Sequence, residues 1–235
     1  MHASLTARWF SPTYSMGAQP SPSHCGKWPA APEMPSIRPR CTHTYPPGAY
    51  GCIFQRGDGS WARKNTTDGL VRRENMAEYP RLLSAMRSTN RVASALDAGA
   101  NEGFSTRLFS LLLPGATIVS LEPSIDNFQM LQLNTAAFAP VRILRAALWP
   151  SSANLSVIPG DAGAWGMRME QHVGGSQTKQ KLRGSQPTER MPGVSVSQLL
   201  MMACLASFDF IKVSGTGERQ RGVIATQLSR HTVCT

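Results

Sequence analysis

Acidic residues are scarce where the chain begins. Before Asp58 the only one is Glu33, against Arg8, Lys27, Arg38, Arg40 and Arg56. Over all 235 residues, 24 Lys and Arg stand against 14 Asp and Glu, a net charge of +10 that raises the prospect of an anionic partner. The excess, however, gathers in polar segments: the amino-terminal stretch, Lys179 to Arg190, and Arg219 to Arg230. No basic run is interleaved with aromatics as a nucleic-acid groove would be, so no clear nucleic-acid site emerges. The five cysteines, at positions 25, 41, 52, 204 and 234, form no C-x-x-C pair, and the five histidines are scattered. Neither a metal site nor a disulfide framework is expected, and Cys204, inside an apolar helical run, reads as a small buried hydrophobe. The chain also lacks any run of 18 apolar residues and any secretory leader pattern, which leaves no membrane span in prospect.

Residues 1–60 have nine prolines and little periodicity. Such a segment buries too little apolar surface to offset its ordering entropy, so the expectation is a disordered Pro-, Ser- and Arg-containing arm. Its scarcity of acids also fits an organelle transit segment, although the prolines spoil the amphipathic helix that a mitochondrial leader uses. The compartment therefore stays open between cytoplasm and organelle. Trp9, Trp28 and Tyr50 read either as short recognition anchors or as scattered aromatics.

The informative stretch runs from Val92 to Glu122. An apolar run ends in Asp97, and the turn Gly99-Ala100-Asn101-Glu102-Gly103 follows. Phe104, Leu108, Leu111 and Leu112 then recur at helical spacing up to Pro114-Gly115, and Thr117 to Leu121 is a second apolar run ending in Glu122. This is strand, Gly-rich turn, helix, strand and carboxylate, one βαβ unit shaped for a nucleoside. Glycines at 99 and 103 permit a tight turn and close approach of a ligand. The amides opening the helix at Gly103 and Phe104 make an anion site, and Glu122 is placed to accept ribose hydroxyls. The pattern D-x-G-x-x-x-G departs from G-x-G-x-x-G, which points away from a dinucleotide and towards S-adenosylmethionine.

The segments LDAGANEGFST, LEPSIDNFQMLQLN (121–134), RAALW (145–149), GDAGAWGMRMEQ (160–171) and FDFIKVSGTGE (208–218), in this order, resemble the FkbM family of S-adenosylmethionine-dependent methyltransferases. The resemblance covers about Val92 to Glu218. It implies a class I methyltransferase fold that moves a methyl group, typically to a hydroxyl oxygen of a small molecule or glycan. Gly99, Ala100, Asn101, Gly103 and Phe104 would then hold the methionine part of the cofactor. Asp97 would fix the turn or reach the amino group, and Glu122-Pro123 would hold the ribose. The resemblance further implies that Ala147 and Leu148 lie against the adenine, with Trp149 either beside them or in the core. Asp161 would lie near the sulfonium or the acceptor hydroxyl, or else simply form a turn.

Residues 61–91 turn helical, with Thr67 or Asp68 as a cap and Met76, Tyr79, Leu82, Leu83 and Met86 at spacings of three and four. A second helix is expected from Ile125 to Ala136, where Asn134 either reaches the pocket or caps backbone. Strands are expected at Val141–Ala146, Asn154–Ile158 with a neighbour near 165–170, and Phe208–Val213. Gly174 to Pro192 reads as a loop. At the last strand the chain departs from the family, having Ser214 where a carboxylate is usual. Lys212 would either stabilise developing oxyanion charge or pair with a carboxylate at the sheet end.

Only 17 residues follow Glu218, and they do not read as further helix and strands. The whole expectation is therefore an α/β, Rossmann-like class I methyltransferase sheet with helices on both faces that lacks its last strands. A disordered arm (1–60) precedes the domain (61–218), and an irregular tail (219–235) follows it. The rival readings are a non-catalytic S-adenosylmethionine-binding protein and an inactive fragment; a dinucleotide oxidoreductase is disfavoured by the glycine spacing.

Overall fold

The computed structural model describes residues 28–29, 53–89, 92–160, 163–171, 189–214 and 221–224. The chain is mixed α/β. A short antiparallel hairpin, β1 (Ile53–Gln55) and β2 (Trp61–Arg63), leads into the 22-residue helix α1 (Asp68–Thr89). The βαβ unit follows as β3 (Ser94–Ala98), α2 (Phe104–Leu112) and β4 (Thr117–Leu121), and then α3 (Ile125–Thr135) and β5 (Val141–Leu144). Next come β6 (Ala147–Leu148), β7 (Ala153–Gly160), β8 (Gly163–Gln171), β9 (Glu189–Val194), α4 (Val196–Ala203), β10 (Phe210–Ser214) and β11 (Arg221–Ile224).

The main sheet has the order β11-β10-β3-β4-β5, and only β11 runs antiparallel. Parallel strands buried on both faces read as continuous apolar runs, which is why β3 and β4 carry no polar alternation. Register assigns the faces. Phe210, Ala95 and Ile118 lie side by side across β10, β3 and β4. They pack with Tyr79 and Leu83 of α1 and with Leu108 and Phe109 of α2. Edge-to-face contacts tie this layer, with ring centroids 5.2 Å apart for both Tyr79–Phe109 and Phe109–Phe210. On the opposite face Leu96 and Val119 pack with Leu199 and Ala203 of α4 and with Phe208. Helices thus cover both faces, an arrangement compatible with a Rossmann-like fold.

The second sheet, ordered β6-β9-β7-β8, buries Ala147, Leu155, Val157 and Met191. Its β7–β8 hairpin pairs Leu155 with Gln171 and Val157 with Met169, as the expected neighbour near 165–170 requires. The α4 helix starts from a reciprocal capping box between Ser195 and Gln198.

Several expectations are corrected. Trp28 is no loose anchor: its indole N–H donates to the carbonyl of Ile143 at 3.2 Å, and its ring packs with the layer of Leu96, Val119 and Leu199. The boundary at residue 60 falls inside the β1–β2 hairpin, which the sequence reading missed. Met76 is exposed, and α1 buries Val71, Tyr79 and Leu83 instead. Residues 189–192, read as loop, belong to β9, where Pro192 lies opposite Asn154 of β7. Proline is tolerated there because β6 pairs with β9 only at Gly193 and Val194, so no bond to the other side is lost at 192. The tail expected to be irregular supplies β11, paired with Ile211 to Ser214. Cys204, expected to be a small buried hydrophobe, is exposed and disulfide-bonded, and the other four cysteines lie outside the described residues. Among the described residues no helix is long and apolar enough to cross a membrane.

The turn glycines generate a direct test. A Cβ on Gly99 (φ +78°) would meet the carbonyl oxygen of Ser214 at 2.5 Å, and one on Gly103 (φ +86°) would meet Leu131 at 2.8 Å. Gly115 has a similar φ of +83° but open space around it. Gly115→Ala should therefore cost only backbone strain, about 1 kcal/mol, whereas Gly99→Ala and Gly103→Ala should each cost about 2–4 kcal/mol. Chemical denaturation of the three variants reads the difference.

Candidate functional site

The carboxyl ends of β3, β4 and β10 meet where the strand order reverses: β3 leads through α2 to β4 on one side, while β10, reached only after β9 and α4, lies on its other side, the position at which ligands bind in open α/β sheets. Asp97 sits at the centre of this edge and is fully buried. One carboxylate oxygen accepts from Lys212 Nζ at 2.8 Å. The other accepts from Ser105 Oγ at 2.6 Å and Thr106 Oγ1 at 2.7 Å, both on the first turn of α2. Lys212 Nζ also donates to the carbonyl of Gly99 at 2.8 Å. Of the two roles open to Lys212, the structure realises pairing with a carboxylate. Asp97 is linked to the turn through Lys212, which bonds the Gly99 carbonyl.

Glu122 follows β4 and is 3% exposed. Its Oε2 accepts the Asn101 amide at 2.7 Å; its Oε1 accepts the Ser124 amide at 2.9 Å and, more loosely, Asn127 Nδ2 at 3.5 Å. Asn101 adopts a left-handed conformation (φ +54°), which turns its amide towards the carboxylate. Burial pushes the Glu122 pKa up to about 7, against these donors and the nearby charge of Lys212. Because each carboxylate oxygen offers two lone pairs, Oε2 retains an acceptor position, the feature a ribose hydroxyl needs.

Three other loop amides are already used. Gly99 and Ala100 donate to the Leu121 carbonyl at 2.9 and 2.8 Å, and Gly103 donates to Ala100 at 2.9 Å. The two glycines, read from sequence as making room for a ligand, instead make room for Ser214 and Leu131. Phe104 and Ala100 are buried core residues, the latter packed with Phe128 and Leu131. Pro123 is half-buried, its carbonyl 3.4 Å from Arg145 Nε. Ala147 and Leu148, expected against an adenine, pair with Gly193 and Val194 in the second sheet. Ala147 is packed there among Leu155, Val157 and Met191, which removes it from the loop surface. Trp149 packs beside the same cluster. Asp161 lies outside the described residues.

A group of residues that the sequence reading did not assemble holds the amino-terminal hairpin over this edge. Arg63 of β2 is buried and pairs with Asp68 of α1, its Nε and Nη2 lying 3.1 and 2.8 Å from the carboxylate oxygens. The Arg63 amide also donates to Asp68, at 2.8 Å. Asp68, one of the two residues (with Thr67) expected to cap α1, thus spends its carboxylate on Arg63. Arg63 Nη2 further donates to Asn127 Oδ1 at 3.0 Å. Asn134 pins the hairpin itself: its Oδ1 accepts the Trp61 amide at 2.6 Å, while its Nδ2 donates to the carbonyls of Trp61 and Glu102 at 3.0 and 2.7 Å. That is backbone capping, the second of the two roles open to Asn134.

Glu102 lies under the hairpin with no exposed surface. Apart from the near approach of its own amide, neither carboxyl oxygen has a hydrogen-bond partner among the described residues. Burial, and then the neighbouring charges of Asp68 and Glu122, push its pKa up to about 8 against the attraction of Arg63. The acid is neutral at neutral pH. Sequence carried one faint signal of this: an acidic residue set between Asn101 and Gly103 in an otherwise apolar and small-residue turn.

The chain matches no family model and no curated protein.

Two outcomes follow for stability. Lys212→Met strands the buried Asp97 charge and should cost about 3–5 kcal/mol, part of which the double variant with Asp97→Asn restores. The raised Glu102 pKa means that the folded state holds a proton the unfolded chain releases above its ordinary value of 4.5. Stability should then fall as pH rises from about 4.5 to 8, by at most about 5 kcal/mol, and level off beyond. Denaturant midpoints measured across this range should decline in the wild type and flatten in Glu102→Gln, with a residual slope from Glu122.

Proposed function

We propose that this protein binds S-adenosylmethionine and transfers its methyl group to a hydroxyl oxygen of a small molecule or glycan. The observation that carries the reading is Glu122: a buried carboxylate after the second strand of a βαβ unit, oriented by the Asn101 and Ser124 amides, with an acceptor position left for a ribose hydroxyl. Its support from sequence is the ordered set of segments between Val92 and Glu218 that resembles FkbM-family methyltransferases.

In this reading the chain supplies position rather than covalent chemistry. S-adenosylmethionine brings a methyl group already activated on a sulfonium. Glu122 holds the ribose end, and Asn101 keeps that carboxylate aimed. Asp97 and Lys212 hold the ends of β3 and β10 at a fixed separation, so that acceptor and donor meet in line. The loop amides already spent on Leu121 and Ala100 contribute shape, not contacts to the cofactor.

One observation favours a second reading, binding without catalysis. Lys212 is buried in its ion pair, and Ser214 stands where a carboxylate would orient the acceptor. Serine has no pKa suited to general-base work.

Calorimetric titration with S-adenosylmethionine checks the proposal. Micromolar binding is expected, weakened about tenfold or more in Glu122→Ala, a loss of about 1.4 kcal/mol or more. Affinity should rise between about pH 6 and 8, because the Glu122 proton must leave before both oxygens accept. A well-folded protein that binds none overturns the reading. Binding without methyl transfer to any hydroxyl acceptor selects the non-catalytic alternative.

A further inference from the structure

The hairpin contacts Glu122 only indirectly, and the chemistry of the intervening groups decides what that contact does. Guanidinium has donors and no acceptor, so Arg63 can face only the oxygen of the Asn127 amide. The observed 3.0 Å bond from Arg63 Nη2 to Asn127 Oδ1 therefore selects one of the two orientations of that amide. With its oxygen held by Arg63, the amide nitrogen is turned towards Glu122 Oε1, at 3.5 Å. In the flipped orientation an amide oxygen would oppose a carboxylate oxygen, and the contact would be repulsive. Arg63 in turn is held by two side-chain bonds to Asp68 and by its own amide to the same carboxylate.

We propose that Arg63 and Asn127 are positioning residues for Glu122, through which the amino-terminal hairpin sets the affinity of the nucleoside site without touching the ligand. This deepens the functional reading above and rests on it for the identity of the ligand. The link from Arg63 to Glu122 is a property of the free protein. The path is short: β2 holds Arg63, α1 holds Asp68, α3 holds Asn127, and the residue after β4 is Glu122. Each residue along it is buried. The other titratable groups near Glu122 are Lys212, from β10, whose charge acts on it, and Glu102, from the glycine turn, on which Glu122 acts. Lys212 is independent of the hairpin, whereas Arg63 itself attracts Glu102, so Asn127→Ala, which leaves Arg63 in place, isolates the hydrogen bond.

The test is carried out first without ligand. The side-chain carboxyl carbons of glutamate, isotopically labelled, are followed by NMR as pH is changed, in the wild type, Arg63→Met, Arg63→Lys and Asn127→Ala. The Glu122 signal is assigned with Glu122→Gln. The proposal expects the Glu122 midpoint to rise by at least about half a unit in Arg63→Met and Asn127→Ala. Arg63→Lys, which keeps the charge and loses the planar fork, should fall between them and the wild type. S-adenosylmethionine titration then adds the coupling. Each single variant should weaken binding about tenfold, and the double variant should be no weaker than either single one.

An unmoved Glu122 midpoint in folded Asn127→Ala, or additive losses in the double variant, overturns the proposal. A midpoint moved in the variants, together with a wild type that binds no S-adenosylmethionine, leaves the relay standing and removes the methyltransferase reading instead. Should Arg63→Met fail to fold, Arg63→Lys and Asn127→Ala carry the same comparison.

Discussion

The ion pair between Asp97 and Lys212 is the interaction on which the arrangement of the sheet's carboxyl edge depends. A buried carboxylate is tolerated only when its lone pairs are filled, and here both oxygens are: one by Lys212, the other by two hydroxyls of α2. The same three bonds join β3, β10 and the first turn of α2. Lys212 reaches beyond them to the Gly99 carbonyl, so the turn that presents Asn101 to Glu122 is held by the same cation. Asp97 is thereby an organiser of the edge.

Glu122 and Glu102 are two acids of one turn region under different constraints. Glu122 is buried but supplied with donors, and its oxygens point where backbone amides converge. Glu102 is buried beneath the hairpin with nothing to accept, and it stays protonated at neutral pH. Both are raised by burial, and the charge of Glu122 raises Glu102 further, so the charge of the region depends on how many protons the pair retains. Arg63 and Asp68 lie against this pair, and they connect it to the hairpin and to α1.

The unit from β3 to Glu122 was legible in the sequence because its signals are local. An apolar run, a glycine turn and a helical period within some thirty residues need no knowledge of the rest of the chain. Tyr79 and Leu83 were likewise placed correctly by their spacing, while Met76, on the same period, proved to face solvent. What could not be read depends on distant partners. Strands of three residues such as β1 and β2 carry no alternation long enough to recognise, and Arg63 meets Asn127 across 64 positions. Trp28 docks on Ile143 across 115. Gly99 and Gly103 were recognised as necessary, but a glycine marks only that something comes close, and here what comes close is Ser214 and Leu131. Ala147 and Leu148 were misplaced because nothing local announces that β9 will pair with them.

The separation of 115 residues between Lys212 and Asp97 has a further consequence, which concerns the order of assembly. The pairing of β3 with β4 closes a short loop around α2. The pairing of β10 with β3 closes a loop that contains α3, β5 and the whole second sheet. Loop closure over that length is entropically costly and slow relative to the local steps. By this argument the Glu122 pocket wall takes shape early, while the Asp97 carboxylate waits for its cation. Until β10 arrives, solvent is its counter-charge, and that flank of β3 is an open strand edge. The ion pair that organises the finished edge is thus among the last contacts to form, and its late arrival marks the interval in which the nascent sheet is most exposed to pairing with other chains.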